Sequence, residues 1–227
     1  MTSAQLNAHE GFALSRRDAI VALLATASAL SACDRAPEVA SSADADVLAL
    51  LDELAENLLR LSPETATSLG IDVGARAALR SEVGDRSAEG QQRIANQLRT
   101  DLARADGIDS AALGDATRTS LAVVRSAYAT ALQGFALPYG DVPVGGWRNT
   151  PYVVIQNVGA YLDVPRFLDS DHRIESSADA EAYLARLESY AQQLDGELGR
   201  IEAARAAGLV PPAFLLDKAL GQIRLSI

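Results

Sequence analysis

The sequence has few of the side chains on which catalytic and redox sites usually depend. Its 227 residues include one cysteine, Cys33, and two histidines, His9 and His172. A single cysteine forms no intramolecular disulfide, and catalytic zinc sites typically use three protein ligands. Neither a His-Glu-x-x-His nor a Gly-x-Ser-x-Gly sequence occurs, and both are signatures of hydrolase active sites. The sequence therefore predicts no catalytic residue, no metal ligand and no cofactor in this chain.

Aromatic and basic residues are also scarce. Phe, Trp and Tyr make up 5% of the chain although 48% of it is apolar, so alanine and leucine supply most of the core. This composition favours closely packed helices over sheets. The formal net charge is −10, and no stretch concentrates Lys and Arg as nucleic-acid binding requires. The acidic balance also argues against electrostatic attachment to anionic lipid.

No apolar run is long enough to remain in a bilayer as a helix. The longest, residues 19–30, has twelve residues, whereas a span needs about 20. It follows Arg16 and Arg17 and precedes Leu-Ser-Ala-Cys at residues 30–33. A basic flank, a short apolar run and a small-residue exit are typical of a secretory signal. The paired arginines resemble the twin-arginine type, and Leu-Ser-Ala-Cys resembles the bacterial lipobox.

Residues 1–32 are therefore predicted to be a signal peptide that is removed on export. Cys33 would then be lipidated and would anchor the protein to a membrane of the cell envelope, on the periplasmic or extracytoplasmic side. The alternative is that Cys33 is a small buried core residue or a stray thiol. The polar, small-residue segment 33–46 is predicted to be a flexible tether.

Residues 47–227 are predicted to form one all-α domain, a multi-helix array or bundle of about six to seven helices. Apolar residues spaced by three and four predict the individual elements. The predicted helices are 47–61, 63–70, 87–105, 115–136, 152–162, 178–207 and 214–224. Residues 74–84 and 138–151 are predicted to be irregular, and residues 165–168 to form a short turn.

The longest predicted helix has a clear start signal and a clear apolar pattern. Ser176 to Asp179 matches the form of a capping box. Along the helix we expect a buried face with aromatic and aliphatic side chains in helical register. Its predicted members are Tyr183, Leu187, Tyr190, Leu194, Leu198 and Ile201.

Two further groups of residues deserve a functional interpretation. Trp147 and Arg148, in the proline- and glycine-rich loop, could grip a peptide carboxylate or an aromatic group, or could pack that loop onto the helices beneath. A second group combines a histidine with nearby carboxylates, so a metal site is conceivable, but a solvated acidic turn fits better without a second histidine. Its members are Asp169, Asp171, His172 and Glu175.

Short motifs across the chain resemble those of the bacterial domain of unknown function 885 family. The first is Ser-Pro-Glu-Thr-Ala-Thr-Ser-Leu-Gly at residues 62–70, and the longest is residues 174–187. The others lie between and after these two, in the order found in the family. They are residues 150–154, 156–161, 164–168 and 208–214. The resemblance extends from about residue 47 to residue 222.

The resemblance implies an exported, largely helical protein similar to zinc metallopeptidases of the zincin type. Such proteins are much longer and have a His-Glu-x-x-His helix in their C-terminal half, so zinc is expected only there. No position of this chain matches that motif. The N-terminal portion of such a fold forms one wall of a substrate cleft, which a peptide would enter. Six candidates for that wall are Trp147, Arg148, Tyr152, Gln156, Asn157 and Tyr161, and the last four could equally be interior packing and capping groups.

Two hypotheses follow from these observations. The first is that the chain is the N-terminal helical portion of an exported, membrane-anchored, metallopeptidase-like protein, incomplete and inactive by itself. The second is a stand-alone helical lipoprotein of the envelope that binds a peptide or a protein partner. Neither involves nucleic acid.

Overall fold

The computed structural model describes residues 42–140, 142, 144 and 150–225. Within these residues the chain is helical and contains no β-strand, which confirms the all-α prediction. Two 3₁₀ helices, Gly74–Ser81 and Ser110–Ala112, connect longer elements. The α-helices are α1 Ser42–Leu61, α2 Pro63–Ser68, α3 Ala88–Asp106, α4 Asp115–Phe135, α5 Ala160–Ser170, α6 Ser177–Ala206 and α7 Ala213–Leu225.

The main apolar core lies among α1, α3 and α4. Leu54, Leu98 and Tyr128 form its largest cluster, and Leu121 is fully buried in a neighbouring one. Asp101 is also fully buried here, where its carboxylate accepts hydrogen bonds from the Asn57 side chain at 3.0 and 3.1 Å. The core thus follows the apolar periodicity of the three helices, with one hydrogen-bonded polar group inside it.

Helix α1 begins earlier than the sequence predicts. It starts at Ser42, so residues 42–46 of the segment predicted to be a tether are helical. Asp44 is buried, and its Oδ1 atom accepts a hydrogen bond from the Gly114 N–H at 3.0 Å, directly before α4 begins. This long-range contact orders the first turn, and no local pattern announces it.

The segment predicted to be irregular at 74–84 is mostly regular. Residues 74–81 form the first 3₁₀ helix, which buries Leu79 against Leu59 and Ala66. Gly70, which follows α2, and Gly74, the first residue of the 3₁₀ helix, have positive φ angles of 69° and 59°. Glycine adopts such angles without steric cost, so the chain turns sharply between α2 and the 3₁₀ helix.

The prediction of a helix over 152–162 is wrong, and so is that of a turn at 165–168. Residues 152–158 form turns joined by a backbone pair between Ile155 and Val158, and α5 begins only at Ala160. It then continues through Pro165 to Ser170. The Glu197 carboxylate, 37 positions away, accepts the Ala160 N–H at 2.9 and 3.0 Å and caps the helix. Because the cap comes from another helix, the local sequence does not reveal the start.

Helix α6 starts as predicted, since the Ser176 hydroxyl accepts the Asp179 N–H at 3.2 Å. Its predicted buried face is wrong. Tyr183 and Tyr190 are half-buried, but the other four predicted members are exposed, namely Leu187, Leu194, Leu198 and Ile201. The helix instead buries three polar side chains, Arg186, Gln193 and Glu197, together with Ala182.

Candidate functional site

The described residues contain a groove of about 570 Å³ in front of α6. Its walls are formed by the α1–α2 junction, by the segment that precedes α3, and by helices α5 and α6. Val142 and Val144 also line it. Its lining combines apolar and polar side chains, and the apolar ones include Leu58, Ile94 and Phe167. Its charged and amide side chains are Glu64, Asp85, Arg86, Gln91, Asp163, Gln193, Glu197 and Arg200.

The floor of the groove is fixed by Glu64 and Gln193. Both Glu64 carboxylate oxygens accept the Gly84 N–H, at 3.0 and 3.1 Å. The Gln193 amide nitrogen donates to Glu64 Oε1 at 3.1 Å and to the Gly84 carbonyl at 2.7 Å. Because both of those neighbours accept, the NH₂ end of Gln193 must face them. Its Oε1 atom is buried without a hydrogen-bond partner among the described residues.

A second carboxylate, Glu197, connects α6 to α5 and to the segment before α3. Besides capping Ala160, its Oε1 atom accepts a hydrogen bond from Arg86 Nη1 at 2.9 Å. Asp163 lies 3.4 Å from the same guanidinium nitrogen. Burial lowers the pKa of Arg86, but the charges of Glu197 and Asp163 outweigh it and leave that pKa above its ordinary value. Arg86 therefore remains a cation between two carboxylates.

Arg186 lies behind the groove and is completely buried. Its Nε donates to the Glu82 carbonyl at 3.0 Å, and its Nη2 donates to the Leu79 carbonyl at 2.9 Å and to Thr67 Oγ1 at 2.8 Å. The guanidinium carbon lies 4.8 Å from the centre of the Phe167 ring, in cation–π geometry. One side chain thus joins α6 to α2, α5 and both ends of the segment 79–82.

His172 is the remaining partner of Arg186. Arg186 Nη1 lies 2.8 Å from His172 Nδ1, and His172 Nε2 lies 3.0 Å from the Asp179 carbonyl oxygen. Guanidinium only donates and a carbonyl only accepts, so the imidazole is neutral with its hydrogen on Nε2. Burial lowers the pKa of His172, and the positive charges of Arg186 and Arg80 lower it further, against the opposing effect of the Asp179 carbonyl.

Arg80 extends this network toward the start of α6. Arg80 Nη1 lies 2.9 Å from Asp72 Oδ2, and Arg80 Nε lies 2.6 Å from Asp179 Oδ1. The Ser176 hydroxyl, the Glu175 N–H and Arg80 together lower the pKa of Asp179 to about 2. Asp179 therefore stays ionised throughout the physiological range and holds the first turn of α6 in place.

These hydrogen bonds and ion pairs hold α2, α5, α6 and residues 79–86 together. Both ring nitrogens of His172 are engaged, and the carboxylates of Glu64, Glu197 and Asp72 all accept hydrogen bonds from fixed donors. Among the described residues, no three His, Cys, Asp or Glu side chains lie close enough together to hold a metal ion. Chemically, the groove presents held polar groups together with apolar side chains.

Several residues singled out from the sequence lie outside the described part of the chain. They are Arg16, Arg17, Cys33, Trp147 and Arg148. The predictions of export, lipidation and loop binding that rest on them therefore stay predictions. Within the described residues, no helix is long and apolar enough to cross a bilayer.

The other four candidates for the cleft wall lie near each other but do not line the groove. Tyr152 is half-buried and Asn157 is exposed. The Gln156 Oε1 atom is buried without a partner among the described residues. Tyr161 is buried, with its hydroxyl 3.0 Å from the Ile155 carbonyl and 2.7 Å from Gln222 Oε1 in α7. Their contact with a peptide stays a prediction.

Sequence reasoning missed the polar side chains that organise the groove. Arg186, Gln193 and Arg200 recur every seven residues along α6, and Glu197 lies on the same side. A polar repeat at the heptad spacing inside a leucine-rich helix is a signal that could have identified this face. The leucines of the same helix mask this signal, because leucine is buried far more often than arginine, glutamine or glutamate.

The chain is similar to known bacterial proteins in sequence and in fold. A family model for bacterial proteins of unknown function, DUF885, matches residues 63–227. The crystal structure of the "putative lipoprotein" from Colwellia psychrerythraea is similar, with a TM-score of 0.64 and 20% identity. The match covers 79% of this chain and 31% of that one, so this chain spans less than a third of its length. Comparison with curated proteins finds no match. Since the family model covers most of the sequence, the chain belongs to the DUF885 family.

Proposed function

We propose that this chain is the N-terminal helical portion of an exported, membrane-anchored, metallopeptidase-like protein of the DUF885 family. By itself it is inactive. The observation that supports this most directly is the unequal coverage, since 79% of this chain aligns with only 31% of the structural neighbour. In this proposal the zinc ion and its ligands belong to the polypeptide that follows in longer members, and the substrate is a peptide.

The groove fits the role of one wall of a substrate cleft. The carboxylates of Glu64 and Glu197 accept the backbone N–H groups of Gly84 and Ala160, so the groove keeps its shape without a bound ligand. A preformed wall reduces the free-energy cost of ordering the site when a substrate binds. The apolar lining residues, Phe167 among them, would accommodate a side chain of an extended peptide.

Attachment to the membrane would come from lipid on Cys33. The lipobox-like sequence before Cys33 supports this, as does the name of the structural neighbour. Each buried CH₂ of an acyl chain stabilises attachment by about 0.8 kcal/mol, and two or more chains hold a protein stably. We expect Cys33→Ala to leave a soluble or unprocessed precursor. Normal export of an Arg16→Lys, Arg17→Lys double variant would instead indicate the general secretory route.

The test of the catalytic proposal begins with the DNA downstream of the coding sequence. A reading frame for a His-Glu-x-x-His helix is expected there, and its absence in every phase would contradict the proposal. The purified chain should bind no stoichiometric zinc and hydrolyse no peptide. Mixing it with the downstream polypeptide should restore both properties. Chelator-sensitive hydrolysis by the chain alone that disappears in His172→Ala would show that the zinc site is here instead.

The described core also favours a second candidate, a stand-alone helical lipoprotein that binds a peptide or protein partner. Leu54, Leu98 and Leu121 are almost fully buried without any further polypeptide. A self-sufficient domain should melt in one cooperative transition. Such a melt, together with a missing downstream reading frame, would favour this candidate over the first.

A further inference from the structure

The outward face of α6 has the pattern of an unpartnered coiled-coil helix. Its apolar residues alternate in steps of three and four, which is the spacing of a and d positions in a heptad repeat. We call these residues the outer seam. They are Leu184, Leu187, Ala191, Leu194, Leu198 and Ile201, and all six are exposed, Leu184 to 59% and Leu198 to 52%.

A row of acidic side chains runs along one edge of the outer seam. These residues follow the seam at successive e positions of the heptad and are all exposed. We call them the acidic row, and they are Glu181, Glu188, Asp195 and Glu202. None of the ion pairs found among the described residues includes any of them.

The other edge of the outer seam faces the body of the domain. Tyr183, Tyr190 and Glu197 occupy the g positions there, and all three are partly or fully buried. A helix laid on the outer seam would therefore contact the apolar residues along its centre. On its outer edge it would meet only carboxylates. Opposite charges at such flanking positions determine which helices pair.

From this geometry we infer that the outer seam binds an amphipathic helix whose apolar stripe is flanked by Lys or Arg. The inference rests on the proposed function for the origin of that helix, which is the polypeptide that follows this portion in longer family members. More than two thirds of the structural neighbour lies outside the match, so that relative has further polypeptide beyond the matched part.

A second copy of this chain fits the outer seam poorly. An antiparallel pair of α6 helices would bring two acidic rows face to face, and like charges there are repulsive. A parallel pair would bring the acidic row against the edge that is already occupied by the domain body. The chemistry of both edges therefore selects a different helix with basic flanks.

The surface itself is tested with synthetic peptides of about three heptads. One peptide carries Leu at a and d positions with Lys beside them, a second carries Glu in place of Lys, and a third is a scrambled version of the first. The complete exported chain should bind the Lys peptide at least tenfold more tightly than either control. Equal binding of the Lys and scrambled peptides would overturn the inference, because attraction by net charge alone would then explain it.

Two double variants of the chain show where the Lys peptide binds. Leu194→Glu with Leu198→Glu should weaken binding of the Lys peptide by a hundredfold or more. The matched control is Leu48→Glu with Val123→Glu, which alters two exposed apolar residues elsewhere and should leave binding unchanged. Circular dichroism verifies that both double variants keep their helical content. Equal effects of the two double variants would overturn the inference.

The last experiment separates this inference from the proposed function. Copurification of the chain with the downstream polypeptide should be lost in the Leu194→Glu, Leu198→Glu variant and retained in the control. If that variant still forms an active complex, the proposed function stands and the inference is wrong. If no downstream polypeptide exists but the Lys peptide binds the outer seam, the proposed function fails and the surface chemistry stands. Concentration-dependent dimers that the variant abolishes would make a second copy the occupant and overturn the inference.

Discussion

The inward sides of α4 and α6 are buried by different chemistry. Helix α4 buries Leu121 and Tyr128 in an apolar core, so its stability depends on the removal of apolar surface from water. Helix α6 buries Arg186, Gln193 and Glu197, and it is held by hydrogen bonds to backbone groups of other segments. The first kind of contact tolerates small changes of shape, whereas the second requires particular atoms at particular positions.

The difference has a structural cause. The segment that α6 covers, residues 79–86, presents the carbonyls of Leu79, Glu82 and Gly84 and the N–H of Gly84 to side chains of other elements. A leucine facing them would leave these groups buried and unpaired, at a cost of about 1–3 kcal/mol each. Arg186 and Gln193 of α6 donate to the carbonyls, and Glu64 of α2 accepts the Gly84 N–H. The leucines of α6 consequently lie on the opposite side, where they form the outer seam.

The largest expected effect is that of Arg186→Met. The substitution keeps an apolar stem but removes the donor to His172 Nδ1, to Thr67 and to the Glu82 carbonyl. It also removes one of the two donors to the Leu79 carbonyl, which keeps the Glu82 N–H. We expect a loss of about 3–5 kcal/mol in the free energy of unfolding, measured by urea denaturation, because each buried acceptor left unpaired costs about 1–3 kcal/mol. Arg93→Met removes an exposed pairing with Asp85 and should cost less than about 1 kcal/mol. Similar losses in the two variants would show that the buried network contributes little.

The apolar core is probed by Leu98→Ala. Leu98 is fully buried between α1 and α4, so the truncation leaves a cavity and should cost about 2–5 kcal/mol. The exposed Leu48 provides a control, since Leu48→Ala should change stability by about 0.5 kcal/mol or less. Xenon or benzene should partly restore the stability of Leu98→Ala, because an apolar cavity accepts apolar ligands. The same ligands should have no effect on Arg186→Met, and restoration of both would remove the distinction between the two regions.

Two glycines on α6 compare its inner and outer sides directly. A Cβ atom at Gly196 would lie 2.8 Å from the Ser87 backbone nitrogen, so Gly196→Ala should destabilise the protein by about 1–3 kcal/mol. A Cβ atom at Gly199 meets nothing within 4 Å, and Gly199→Ala should stabilise the helix by about 1 kcal/mol. Thermal melts of both variants provide the measurement. Destabilisation by Gly199→Ala would mean that the outer side of α6 is less open than the structure indicates.

The smallest expected effect is a pH dependence that originates at His172. Its pKa is lowered on folding, so the unfolded chain takes up the proton first as the pH falls. The contribution of His172 to the free energy of unfolding is therefore fully present above about pH 6.5. It decreases as the pH falls toward the folded pKa, by at most about 1.4 kcal/mol per pH unit. His172→Gln, which does not titrate, should show a flatter profile between pH 7.5 and 5. Asp179 adds nothing in this window because its pKa is about 2. Identical profiles would mean that His172 is not held neutral.

The sequence predicts the elements of this fold better than their contacts. Helices α3, α4 and α6 begin and end within one residue of the predicted positions because each has its own cap or breaker, such as Ser87 or Ser176. The start of α5 was missed because Glu197, on another helix, provides its cap. The local sequence does not predict the groove either, because its residues also come from distant parts of the chain. Its polar groups pair over separations of up to 129 residues, which local periodicity does not encode.

The distances along the chain between Arg186 and its partners have a consequence for folding kinetics. Arg186 bonds to residues 104, 107 and 119 positions away, whereas α3 and α4 are neighbours in sequence. Contacts that close long loops are slow to form, so the α3–α4 pair should assemble first and the Arg186 network late. Interactions that form after the transition state chiefly determine the rate of unfolding. The network around Arg186 should thus act mainly on the lifetime of the folded protein and only slightly on the rate at which it folds.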